Sequence, residues 1–159
     1  MSKIIDLLRE NARMDISEIA SRAGISESEA QQKISEMEKS GVICGYTVIF
    51  NEDALPETKV KALIEVKVTP SRDGGFDSVA RRIAKFPEVT DLFLLSGGYD
   101  LLLTVSGDSL QSVANFVASK LATIDGVIST STGFLLRKYK ESGKIMENDE
   151  NYERLKICF

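Results

Sequence analysis

Two hydrophobic periods divide this chain, and they belong to different element types. As far as Gly41, apolar residues recur at three-to-four spacing: Ile4, Ile5, Leu7 and Leu8, then Ile16, Ile19, Ala20 and Ala23, then Ala30, Ile34 and Met37. Each set makes one stripe on a helix, so three short helices share a small core. From Ala62 the period falls to two. Ala62, Ile64, Val66 and Val68 alternate with Lys61, Glu65, Lys67 and Thr69 up to Pro70, the mark of a strand buried on one face. Between the two regimes stands Leu55-Pro56-Glu57-Thr58, a boundary between a helical unit and a sheet-bearing one.

Start and stop signals agree with the helical period. Ser17 and Ser26 lie at or near the starts of the second and third helices, Glu29 follows Ser26 in capping-box register, and Gly24 and Gly41 punctuate the ends. Small Ala20 lets two helices cross closely, Gly24 supplies a left-handed turn, and Ile25, Ala30 and Ile34 follow, which is the spacing of a helix-turn-helix. After Gly41, the β-branched and aromatic run Val42 to Phe50 predicts a strand leaving the helical unit.

Beyond the first strand, Phe76, Val79, Ala80, Ile83 and Phe86 mark a helix closed by Pro87. Val89 to Ser96 and Tyr99 to Gly107 are apolar runs joined at Gly97-Gly98 as a hairpin. Leu110, Val113, Ala114, Val117, Leu121 and Ile124 form a regular helical stripe, and a last strand runs from Val127 to about Tyr139. The order β-α-β-β-α-β is the ferredoxin-like pattern, with both helices on one face of a four-stranded antiparallel sheet. Phe93-Leu94 and Leu101-Leu102 place apolar side chains on both faces of what are expected to be the middle strands, so the second face calls for sheet-on-sheet dimerisation. The fold class is therefore α+β, with the helix-turn-helix over 1–45, a hinge strand and linker over 46–60, the second unit over 61–140 and a polar tail over 141–159. In that tail only Tyr152, Leu155 and Ile157 keep a weak helical spacing.

Composition narrows the chemistry. Histidine is absent, which removes the commonest general base and the commonest zinc ligand, so no enzyme is expected. Cys44 and Cys158 are far apart and read as reduced thiols. Asp91, Asp100 and Asp108 are dispersed, which gives a metal or acid/base pair no support, and Asp73-Gly74-Gly75 reads as a turn. Arg137, Lys138 and Lys140 read as a solvated strand end. There is no long apolar run and no signal-peptide pattern, so the chain is expected in the cytoplasm. At a net charge of -4 the molecule as a whole does not attract phosphate, and any nucleic-acid contact must be local.

The segments Ile16-Ser17-Glu18-Ile19-Ala20, Ala23-Gly24-Ile25-Ser26 and Met37-Glu38-Lys39-Ser40-Gly41-Val42-Ile43-Cys44-Gly45-Tyr46 resemble the Lrp/AsnC family of transcription regulators. Ser96-Gly97-Gly98-Tyr99-Asp100-Leu101-Leu102 and Gly126-Val127-Ile128-Ser129-Thr130-Ser131-Thr132 are similar to that family's amino-acid-sensing domain, so the resemblance covers roughly residues 1–140. It implies a DNA-binding unit, a hinge strand near Tyr46 to Phe50 that helps pair protomers, and a sensing domain whose dimers associate into octamers. It also implies no cofactor, and an effector, a free amino acid, that binds between dimers near the glycine hairpin and the strand carrying Thr130 and Thr132.

Residue chemistry can be weighed against that expectation. Ser26, Ser28, Gln31, Gln32, Lys33 and Ser35 are the candidates for double-stranded DNA, since glutamine pairs bidentately with adenine. The same helix region, Ser26 to Ser40, carries Lys33 and Lys39 against Glu27, Glu29, Glu36 and Glu38, whereas relatives usually carry arginines. Binding is therefore expected to be weak per protomer and to need several units together. For a free amino acid, the candidates are Gly97, Gly98, Tyr99, Asp100, Thr130 and Thr132: glycine amides suit its carboxylate and Asp100 its ammonium. The leading function is an amino-acid-responsive regulator working as a homodimer or tetramer of dimers. The alternative is a sensor or assembly partner without DNA binding of its own. A sirohaem-decarboxylase-like enzyme shares the two-unit plan, and the missing histidines argue against it.

Overall fold

The computed structural model describes residues 2–56, 59–70 and 74–146, and the chain divides between Ile49 and Phe50 into two units. Glu57, Thr58, Asp73, Cys158 and the helical spacing of Tyr152, Leu155 and Ile157 lie outside the described residues. No described helix is long and apolar enough to cross a membrane.

In the first unit, α1 (Ser2–Glu10), α2 (Ile16–Ala23) and α3 (Glu27–Lys39) turn their stripes onto one core of Ile4, Leu7, Met14, Ile19, Ala20, Ala30, Ile34 and Met37. Fully burying a side chain such as Ile19 or Met37 stabilises the unit by about 1.5–3 kcal/mol each. α2 begins one residue before Ser17, with Asp15 as its N-cap, and ends at Gly24, whose φ of 75° lets its N–H return to Ala20 O at 2.9 Å. Ser26 and Glu29 cap α3 reciprocally, as the capping-box register predicts.

The strand expected over Val42 to Phe50 is not formed. Among the described residues, 44–50 carry no ladder hydrogen bonds, and Tyr46, Val48 and Phe50 are exposed. The composition suits a strand, but a strand needs a neighbour to pair with, and the described chain supplies none here.

The second unit follows the expected order: β1 (Val60–Val68), α4 (Asp77–Ile83), β2 (Val89–Leu94), β3 (Leu101–Gly107), α5 (Leu110–Phe116) and β4 (Val127–Phe134). The sheet runs β2-β3-β1-β4 and all its pairs are antiparallel. Ala62, Ile64 and Val66 stand opposite Val105, Leu103 and Leu101, and all six are fully buried with Val79, Ile83, Val113 and Phe116 of the helices. The stripe beyond α5 continues through a π-helical turn, Val117–Leu121, that keeps Leu121 and Ile124 in the core.

Three expectations are corrected. β2 lies at the sheet edge, and the middle strands are β3 and β1, because β1 inserts between β3 and β4. β4 ends at Phe134 rather than near Tyr139: β1 begins at Val60, and Leu135 N donates to Lys61 O just past the end of β4. The tail opens on a hairpin, β5 (Lys140–Glu141) with β6 (Lys144–Ile145), turned by Ser142 and Gly143 at φ 44° and 85°. On the face away from the helices, Phe93 opposes Leu102 and Leu63 opposes Thr104. Phe93 and Leu63 are exposed, so the expected open apolar face is present.

Candidate functional site

α3 presents its polar residues according to helix geometry. At about 100° per residue, Ala30, Ile34 and Met37 face the core, while Ser28, Gln32 and Lys39 point the opposite way and are exposed. Gln31 is exposed on the flank, and Ser35 is half-buried on the outer side. Lys33 lies half-buried beside the core stripe. Ser26 is engaged as the cap: its hydroxyl accepts from Glu29 N and donates to Glu29 Oε2. The backbone N–H of Ser26 also donates to Glu29 Oε2 at 3.1 Å, and this bond, with the one from the hydroxyl, holds the Glu29 carboxyl below the usual carboxylate range. Of the six candidates, Ser28, Gln31, Gln32 and Ser35 therefore lie on the flank or outer side of the helix, Lys33 sits beside the core stripe, and Ser26 is occupied by helix capping. Lys39 and Glu36, weighed in the sequence only as charges, share this outer side, since a helical wheel drawn from Gln32 and Ser35 reaches both.

Cations near this helix are few, and one is engaged. Arg22 makes a two-pronged bond to Glu10 at 2.7 and 3.1 Å and approaches Glu18 at 3.6 Å, and its hydrogen bonding to Glu10 raises its pKa further. Tyr46 donates its hydroxyl to Glu38 at 2.9 Å, and partial desolvation of the otherwise exposed phenol, together with that carboxylate, pushes it up.

In the second unit, Gly97 and Gly98 do not form a two-residue turn. A six-residue loop from Leu95 to Asp100 joins β2 to β3, closed by Leu95 N to Asp100 O at 2.8 Å. Neither glycine has a positive φ, and a Cβ at either would meet nothing within 4 Å. Nothing among the described residues requires glycine there. Asp100 is half-buried and holds β1 from both directions: Val68 N donates to its Oδ2 at 2.8 Å, and its own N–H donates to Val66 O at 3.1 Å. Across β1, Thr130 stands opposite Val66, so Asp100 and Thr130 lie at one end of the sheet, two strands and roughly 10 Å apart. Thr132, opposite Ile64, is farther along and exposed. Gly97, Gly98, Tyr99 and Asp100 thus form one loop, with Thr130 near its level and Thr132 away from it.

Two cavities in this unit lie elsewhere. One of about 360 Å³ is lined by Glu88, Ser106, Asp108 and Ser112, among others. Glu88 binds Lys120, which holds its carboxyl low. The other, of about 340 Å³, has Leu110, Phe134 and Leu136 on its apolar side and Glu52, Lys61 and Lys138 on its polar side. Glu52 accepts from Lys61 and, at 3.2 Å, from Lys138, which also reaches Glu141 at 2.8 Å. Burial alone would raise the Glu52 carboxyl, but the two lysines outweigh it and hold it low. Lys138 is therefore not the solvated strand end expected of it; only 18% of its side chain is exposed. No local pattern announces a network that joins residues 86 positions apart.

Comparison with known proteins bears on both units. Residues 61–145 match the family of Lrp/AsnC ligand binding domains, and residues 2–43 match winged helix-turn-helix DNA-binding units. The HTH-type transcriptional regulator YugG of Bacillus subtilis is 42% identical over 157 residues, covering 98% of this chain and 95% of its own. The HTH-type transcriptional regulator FL11 of Pyrococcus furiosus is 29% identical, over 90% of this chain and 91% of its own. The transcriptional regulator NMB0573 of Neisseria meningitidis, solved in complex with L-Met, superposes with a TM-score of 0.67 at 26% identity, over 87% of this chain and 89% of that one.

Proposed function

This chain belongs to the Lrp/AsnC family of transcription regulators, and from that premise we propose that it is a cytoplasmic regulator whose assembly and DNA affinity respond to a free amino acid bound between dimers. It is a DNA-binding regulator with a ligand-binding domain, and its relatives are named as regulators rather than enzymes. The proposal concerns the effector, the assembly and the residues. α3 enters the major groove with Ser28, Gln31, Gln32 and Ser35, with Lys33 on its flank and Ser26 fixing its first turn. The Gly97 to Asp100 loop, with Tyr99, Thr130 and Thr132, contributes one side of the effector site.

One observation carries the effector reading. Gly97 and Gly98 have neither a strained φ nor a crowded Cβ position, and glycine without an internal reason fits a backbone that something outside the chain approaches closely. An amino-acid carboxylate on those amides is such a group. The L-Met complex of the Neisseria relative supports this ligand class. The exposed face with Phe93, Leu102 and Leu63, and the unpaired segment 44–50, support a homodimer, and dimers are proposed to close into a tetramer of dimers.

The test is fluorescence anisotropy of the full chain on DNA from upstream of its own gene, at two salt concentrations, with and without pooled amino acids. Selective binding that shifts with amino acids is the expected result. Binding indifferent to every amino acid would remove the effector assignment. No binding above competitor DNA would favour a sensor acting through a more basic partner, a reading that the acids of α3 support.

A further inference from the structure

Gln32 and Glu36 stand one turn apart on the outward side of α3, and Gln32 Nε2 donates to Glu36 Oε1 at 2.9 Å. An ionised carboxylate can only accept. It therefore selects one of the two orientations of the amide, with the nitrogen toward Glu36 and Oε1 turned away. One N–H is engaged by the carboxylate, and the other remains available beside an oxygen that accepts no side-chain bond in this pair.

A donor next to an acceptor is the complement of adenine in the major groove, where N7 accepts and the N6 amino group donates. Guanine presents two acceptors, N7 and O6, and leaves the amide oxygen without a partner. The groups around Gln32 do not redirect the choice. Ser28 and Ser35 carry hydroxyls that pair with either base type, and Lys33 lies half-buried toward the core side of the helix.

We propose that Gln32 is a specificity-determining residue of the DNA-binding unit, reading one adenine per half-site through N6 and N7, and that Glu36 is its positioning residue. This rests on the reading of α3 as the helix that enters the groove. Glu36 then has two opposed effects. Its charge repels phosphate and weakens binding to any duplex, while its acceptor oxygen keeps Gln32 in the adenine-reading orientation. A neutral amide at position 36 would satisfy Gln32 in either orientation.

The experiment selects binding sites for the full chain from random-sequence duplexes, then resynthesises the enriched site with 7-deazaadenine, which lacks the N7 acceptor, at the enriched adenine. The expected site carries an A·T pair at a fixed position in each half-site, and the analogue weakens wild-type binding roughly five- to ten-fold. Gln32→Ala should bind both versions equally. Glu36→Gln should bind random duplex about two- to five-fold more tightly, yet discriminate less between adenine and the other bases. A merely structural role for Glu36 would not raise affinity and lower selectivity together. The proposal is overturned if the analogue is tolerated by the wild type, if Gln32→Ala keeps the full analogue penalty, or if Glu36→Gln keeps full discrimination. A pool that enriches no duplex at all removes the groove assignment of α3 itself, and this proposal with it, so the two failures are distinct.

Discussion

Asp100 serves the fold and, in the proposed function, the ligand. Its Oδ2 takes the Val68 amide, so Asp100→Ala leaves a half-buried donor without its partner and is expected to lower stability by about 1–2 kcal/mol. Asp100→Asn keeps an acceptor for that amide and removes the charge. The expected outcome is a melting temperature near wild type with amino-acid binding lost by calorimetry; retained binding would exclude Asp100 from the ammonium contact. Glu52 yields a prediction about pH. Lys61 and Lys138 hold its folded-state carboxyl below the ordinary value, so its contribution is present above the usual glutamate range and is lost as pH falls through the lowered folded value. Glu52→Gln should therefore cost about 1–2 kcal/mol near neutrality and flatten the acid limb of a chemical-denaturation series run between neutral and strongly acidic pH; an unchanged acid limb would show the network to be dispensable. Legibility at this scale follows sequence distance. Ser26 and Glu29 are three residues apart, and their cap was readable. Glu52 and Lys138 were not, because only the folded sheet brings them together.

At the scale of elements, the periods predicted the helices and strands well, since each stripe or alternation is a local consequence of which face meets the core. What failed were elements whose form depends on a neighbour. The segment from Cys44 to Phe50 has the composition of a strand and no strand partner among the described residues, and β2 was placed centrally because nothing local reveals that β1 inserts beside β3. The six-residue loop at Gly97-Gly98 was read as a tight turn, because a glycine pair is also what such a turn requires. A substitution separates these roles. With open space at both Cβ positions and no positive φ, Gly98→Val is expected to change stability by less than about 0.5 kcal/mol while abolishing the amino-acid response in the anisotropy assay. A large loss of melting temperature would instead show that the glycine serves the fold. The unpaired segment is tested in the same spirit: Val48→Lys on its exposed run should shift the mass in light scattering from dimer toward monomer, and an unaltered mass would place the dimer contact elsewhere.

Over the whole molecule, charge sets how DNA can be bound. The net charge is -4, and the α3 region holds Lys33 and Lys39 against four glutamates, while Arg22 is engaged by Glu10 and Glu18. A protein with six to ten phosphate contacts loses roughly 10³–10⁵ in affinity between 50 and 200 mM salt through counterion release. Two cations per protomer give a dimer at most about four such contacts, so one dimer on one pair of half-sites should lose no more than about 10² over that range and bind weakly at either end. Tight binding must then come from linkage. If dimers are joined, a second site in phase on the same duplex is met at high effective concentration, and avidity on the order of 10²–10⁴ is available without any new contact. The decisive comparison is anisotropy on one-site and two-site duplexes of equal length, each at two salt concentrations. The expected result is a large gain for two sites in phase, and loss of that gain when the spacing is shifted by half a helical turn. Tight, steeply salt-dependent binding to the one-site duplex would mean that phosphate contacts come from residues other than α3, and that assembly is not what gives this acidic chain its hold on DNA.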